Sequence, residues 1–248
     1  YKFSHTNFDS KNYLFYVGLF FLPSAFSLAS IFLFLSLLIT TLKYKFRLFD
    51  NSYSKSFLFC SFLMIISCFV NTFNSNLLEK YNINSSLFWI DLANWLPFFW
   101  CFGAFKPYLD NSEKRKLAGL IILSGTFPIL LTGICQTFFG WYGPFQFLNG
   151  FITWYQRPLE GITGLTGLFS NPNYAGNWLN LVMPFCFASL INSKKNTWEI
   201  SIIYFFIFLI GLCTVLTNSR SAWLGIIIGF VLGDDICFSN PTYKCIYI

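Results

Sequence analysis

Apolar residues along this chain come in blocks, at about 13–42, 57–73, 88–105, 117–137, 174–192, 200–216 and 221–233, with short polar stretches between them. A helix needs roughly 20 mainly apolar residues to cross the ~30 Å hydrocarbon core of a bilayer, and most of these blocks approach that length. They lack the every-second-residue alternation of membrane barrel strands. The pattern predicts an all-α fold, a polytopic transmembrane helical bundle with about 7–8 apolar helical segments. The first block is ambiguous. Its 30 residues would make a helix of about 45 Å, long for one upright span and short for two, and Pro23 offers a bend or turn.

Charge between the blocks sets an orientation, because Lys and Arg near span ends are retained in the cytoplasm. One connection carries Lys43, Lys45, Arg47 and Lys55, a second Lys106, Lys114, Arg115 and Lys116, and a third Lys194 and Lys195. The connections between them hold only Glu79 with Lys80, Arg157 with Glu160, and Arg220. Strict alternation puts residues 74–87, 138–173 and 217–221 on the non-cytoplasmic side, together with Arg157 and Arg220.

Composition agrees with membrane residence: 55% of residues are hydrophobic, 34 are Phe, and only 10% are charged. The net charge of +6 is scattered in short runs and forms no basic face, which argues against nucleic acid. Eight cysteines show no close ligand spacing and most lie inside apolar blocks, where they read as small hydrophobes. No metal or other cofactor is expected. Residues 1–248 read as a single transmembrane domain. The chain starts at Tyr1 without a cleavable signal, and after Gly233 the membrane pattern gives way to an atypical tail, DDICFSNPTYKCIYI over 234–248, so a fragment is expected. Gly225, Gly229 and Gly233 form a flat stripe suited to close helix packing.

The longest connection, 138–173, is rich in aromatics and glycine. Trp141, Tyr142, Phe145, Phe147, Phe151, Trp154 and Tyr155 suit the headgroup level as an aromatic belt or re-entrant segment, or as a wall for a lipid tail or sugar rings. Further on, SNPNY (170–174) reads as a helix start, with Asn171 as N-cap and Pro172 at the first helical position. Asn173 and Asn177 then share one face, as do Tyr174 and Trp178. In TNSRSAW (217–223), Arg220 opens another helix, with Asn218 or Ser219 as its cap. Two positive helix ends and two arginines, Arg157 and Arg220, make a cradle for phosphate, since the guanidinium fork binds phosphate oxygens in pairs. The plainer alternative is two interfacial arginines snorkelling to water. His5 is the only histidine, and no nucleophile, general base or nucleotide-type glycine loop is present.

RPLEGITGLTGLFSNPNYAGNWL (157–179), followed one span later by LTNSRSAWLG (216–225), resembles the O-antigen ligase and polymerase family of bacterial inner-membrane proteins. NWLPFFWCFGAFKPYL (94–109) looks like its cyanobacterial branch, whose members have also been called inorganic-carbon transporters. The resemblance covers roughly residues 12–233. It implies about a dozen helices, with the C-terminal part of the family fold missing here. It also implies metal-independent transfer of a glycan from an undecaprenyl-diphosphate carrier to lipid A core or another glycan, at the periplasmic face of the inner membrane. Arg220 matches the family's arginine at the outer end of a span, and Arg157 an arginine shortly before the glycine-rich segment. The family's catalytic histidine and a second essential arginine belong to a later loop, which His5 does not replace, so the chain is expected to be inactive alone. Catalytic residues are therefore none; Asn171, Asn173, Asn177, Asn218 and Ser219 support the diphosphate site. The alternative is a multi-pass transporter of a small anion such as bicarbonate, and a third possibility is a degraded gene product with only a packing role.

Overall fold

The computed structural model describes residues 12–45, 48, 52–73, 84–157, 164–191 and 196–228. His5, Arg47, Glu79, Lys80, Glu160, Gly161, Lys194, Lys195, Gly229, Gly233 and the tail 234–248 lie outside the described residues. The described chain is mostly helical: α1 (Tyr13–Phe21), α2 (Phe26–Tyr44), α3 (Ser52–Thr72), α4 (Ser86–Ala104), a 3-10 turn (Lys106–Tyr108), α5 (Ser112–Phe139), α6 (Pro172–Ile191) and α7 (Thr197–Leu216). An eighth helix, α8, is described over 220–228.

Four of these helices are long and apolar enough to cross a membrane: α2, the 54–72 part of α3, α5 and α7. That is fewer than the apolar blocks suggest, for identifiable reasons. The first block breaks at a turn around Pro23, leaving the nine-residue α1, too short to span, ahead of the 19-residue α2. The lengths of α4 and α6 would suffice, yet α4 carries Asp91, Asn94 and Pro97, and α6 carries Asn173, Asn177 and Asn180. These polar residues dilute their hydropathy.

The chain divides into two compact units, residues 34–110 and residues 1–33 with 111–248. In the 34–110 unit α3 lies along α4 through stacked rings, Phe57 on Phe102 at 4.6 Å and on Phe99 at 5.4 Å. The stretch 94–109 closes this unit on itself. Trp100 Nε1 donates to Thr41 Oγ1 at 2.9 Å, and the buried Tyr108 hydroxyl accepts from Thr40 Oγ1 at 2.8 Å while donating to the Ser36 carbonyl.

The other unit holds α1, α5, α6, α7 and α8. Its core gathers Leu130, Leu165, Leu179, Val182, Met183, Cys186, Ile210 and Cys213 from α5, α6, α7 and the segment before α6. Small residues allow the closest approaches, since lipid supplies no hydrophobic drive between helices and backbone proximity must do so instead. A Cβ at Gly125 of α5 would run into the Phe20 carbonyl of α1.

The aromatic connection folds as a β-hairpin. β1 (Phe145–Phe147) pairs antiparallel with β2 (Ile152–Trp154), with Phe145 opposite Trp154 and Phe147 opposite Ile152. Asn149 and Gly150 both have positive φ, 55° and 85°, and Phe151 N donates to the Leu148 carbonyl at 3.2 Å across them. Positive φ at both central residues is what a primed turn requires and what Asn-Gly accepts most readily.

Candidate functional site

The site is built at one end of the second unit, where α5 and α7 finish and α6 and α8 begin. Its foundation is a single buried amide. Gln136, 2% exposed near the end of α5, accepts through Oε1 from Thr166 N at 3.0 Å and Gly167 N at 3.1 Å. Its Nε2 donates to Thr166 Oγ1 at 3.1 Å. A loop with no regular hydrogen bonding of its own is thereby fixed, which is what buried backbone N–H groups require. Leu165 fills the notch over Gly133, where a Cβ would lie 2.7 Å from its Cδ1. Gly167 turns with φ 54° against Ile129.

From this loop the chain enters α6. Asn171 Oδ1 accepts from Asn173 N at 2.8 Å, and Pro172 takes the first helical position, where its missing N–H costs nothing. Asn173, Tyr174 and Asn177 are exposed. Trp178, by contrast, is half-buried and donates from Nε1 to Thr126 Oγ1 at 3.1 Å, so it anchors α6 to α5.

The motif TNSR supplies the second helix start. Thr217 ends α7, with its N–H returned to the Cys213 carbonyl at 3.0 Å. Asn218 adopts the left-handed conformation, φ 54°, that commonly ends a helix and that Asn tolerates better than most residues. Ser219 is the cap of α8: its Oγ accepts from Ala222 N at 3.4 Å and lies 3.0 Å from Ser221 Oγ. The two residues that sequence offered as caps thus divide the work, Asn218 closing one helix and Ser219 opening the next. Ser219→Ala is expected to cost about 1 kcal/mol of stability in detergent, the ordinary worth of an N-cap, measured by denaturant unfolding.

The two helix starts meet. Leu165 N donates to the Leu216 carbonyl at 2.8 Å. A Cβ at Gly164 would strike the Thr217 carbonyl. A Cβ at Gly176 would lie 2.6 Å from the Ala222 Cβ and 3.3 Å from that of Ser219. Further along, Gly225 receives the Asn180 side chain. Arg220, at the first position of α8, is exposed, and among the described residues its guanidinium has no hydrogen-bond or ion-pair partner.

Arg157 follows a segment that is tied to the same loop. Tyr155 N donates to the Leu168 carbonyl at 3.2 Å, and the fully buried Gln156 donates through Nε2 to the Trp141 carbonyl at 2.8 Å and the Thr132 carbonyl at 3.1 Å. The segment after β2 that leads to Arg157 is therefore tied to the loop that carries Gly164. Arg157 itself is exposed, and no direct contact joins it to Arg220. Among the described residues no three His, Cys, Asp or Glu side chains gather as a metal set.

Sequence reading singled out the arginines and the capping residues, and missed the amides beneath them. Gln136 carried a signal: it is the one Gln within an apolar block of a candidate span, and such a residue needs partners. No family model, curated protein or solved structure matches the chain.

Proposed function

We propose that this end of the bundle holds the diphosphate of a lipid-linked glycan donor. The observation that carries the reading is the packing of α6 against α8 at Gly176 and Ala222, which sets two capped helix N-termini side by side with an unengaged Arg220 on one of them. Helix N-termini present N–H groups and a partial positive charge to anions, and a guanidinium adds a paired, permanently charged fork. Arg157 provides a second positive charge, just after the segment tied to the same loop. Exposed apolar side chains on α7 and α8, among them Phe208, Val215, Leu224 and Ile227, offer a lipid-compatible surface beside the headgroup position. Asn173 and Asn177, exposed near the start of α6, add amide donors and acceptors for sugar or phosphate oxygens.

In this reading the protein is a multi-pass component of the bacterial inner membrane, with the site on the non-cytoplasmic face. It belongs to glycan transfer of the O-antigen ligase or polymerase type, from undecaprenyl diphosphate to lipid A core or another glycan, without a metal. The described residues bind and orient the donor, and none of them is assigned the role of base. Transport of a small anion such as bicarbonate would need charged or unsatisfied polar groups along the spans. Among the described residues the buried polar side chains are Ser, Thr and Gln and Asp91 is exposed; the two buried side-chain atoms without a partner, Gln156 Oε1 and Asn180 Oδ1, are amide oxygens, which accept hydrogen bonds and repel an anion.

The test is binding of undecaprenyl diphosphate to the protein in lipid nanodiscs. Arg220→Ala is expected to weaken it about 10- to 100-fold, the effect of losing charge-assisted hydrogen bonds of about 1.5–3 kcal/mol. Arg220→Lys should retain binding at reduced affinity, because a point charge replaces the fork. Unchanged affinity in both variants would overturn the donor site.

A further inference from the structure

We infer that the β1–β2 hairpin is a membrane-docking element that rests its turn in the headgroup and upper acyl region of the bilayer at this end of the protein. Residues 138–156 contain no charged side chain. The apolar surface is continuous with a candidate span: α5 ends in Phe138 and Phe139, 62% and 79% exposed, and the hairpin follows at once. At its tip Leu148 is 73% exposed and Phe151 42%, flanked by exposed Phe147, Trp141, Tyr142 and Tyr155.

The chemistry selects the depth. A two-stranded hairpin leaves strand edges with unpaired backbone groups, which the hydrocarbon core does not admit. Trp and Tyr rings, apolar in body and polar at one atom, settle where water and headgroups can still bond them. The hairpin is held in place by Trp154, whose Nε1 donates to the Ser24 carbonyl at 2.7 Å, and by Phe147 packed edge-on against Trp154 at 5.0 Å.

The turn carries a second sign. Leu148 adopts φ 52°, a conformation that bulky residues rarely accept, and it does so with its side chain outside the protein. Nothing within the described fold rewards that placement, whereas insertion into lipid does, by removing the isobutyl group from water. A wall for sugar rings would use exposed aromatic faces and has no need of an aliphatic tip.

The experiment uses the full chain with its eight native cysteines replaced, reconstituted in phosphatidylcholine and phosphatidylglycerol vesicles, with nitroxide labels at Leu148→Cys, Phe151→Cys and Gln146→Cys. Labels at 148 and 151 are expected to be more accessible to oxygen than to a water-soluble nickel reagent, with the reverse at 146. In a second variant, Leu148→Gly relieves the turn while removing the lipid contact, so the ratio at a Phe151→Cys label should fall several-fold with the fold retained. Nickel accessibility at 148 equal to that at 146 would overturn the inference. So would protection of 148 by an added soluble glycan in place of lipid.

Discussion

Gln136→Leu is expected to destabilise the protein by about 3–5 kcal/mol, because it orphans two buried backbone N–H groups at once. The side chain is nearly isosteric in volume, so no large cavity opens and packing alone would predict a small effect. What disappears is the acceptor for Thr166 N and Gly167 N and the partner of the Thr166 hydroxyl. Thr166 is fully buried, so water cannot take over without opening the loop. The check is denaturant unfolding in detergent, together with hydrogen exchange at the amides of Thr166 and Gly167. Exchange should rise at these two amides before it rises in α6. If the variant unfolds like the parent and both amides stay protected, the pinning role of Gln136 is wrong.

Gly164→Val is expected to cost about 3 kcal/mol or more and to part the loop from the turn between α7 and α8. Two independent obstacles act there. The backbone has φ 151°, outside the range that L side chains readily adopt, and any Cβ meets the Thr217 carbonyl, with the Pro172 ring 3.3 Å away. Thr217 ends α7 and Pro172 opens α6, so neither can retreat without moving its helix. In diphosphate binding, Gly164→Val should therefore resemble Arg220→Ala, although the arginine is intact. Its thermal unfolding should shift as well, which separates it from Arg220→Ala, where an exposed side chain is lost and stability should hold. Wild-type unfolding and wild-type binding in Gly164→Val would show that the close approach of loop and turn carries no weight.

Much of the fold could be read from the chain because its signals are local. Pro23 within an overlong apolar block marks a turn, and the block divides there. Asn171 before Pro172 marks a helix start through one side chain and one missing N–H, both short-range effects. The choice between Asn218 and Ser219 was less legible, since each residue type both caps helices and tolerates turns. The left-handed backbone at 218 decided it. In the aromatic connection the ring count obscured a stronger signal, Asn149-Gly150 between alternating FQF and ITW, which specifies a hairpin. Least legible were the contacts between distant segments. Nothing in the spacing of Gln136, Gly164 and Thr217 shows that they meet, because the meeting depends on how α5, α6 and α7 pack.

The bond from Trp154 to Ser24 links residues 130 positions apart, and a 2.7 Å contact cannot reach across a bilayer. The turn that opens α2 must therefore share a face with the aromatic hairpin. One indole thus ties the turn between α1 and α2 to a distant strand, a neighbourhood that the residues of the turn leave unstated.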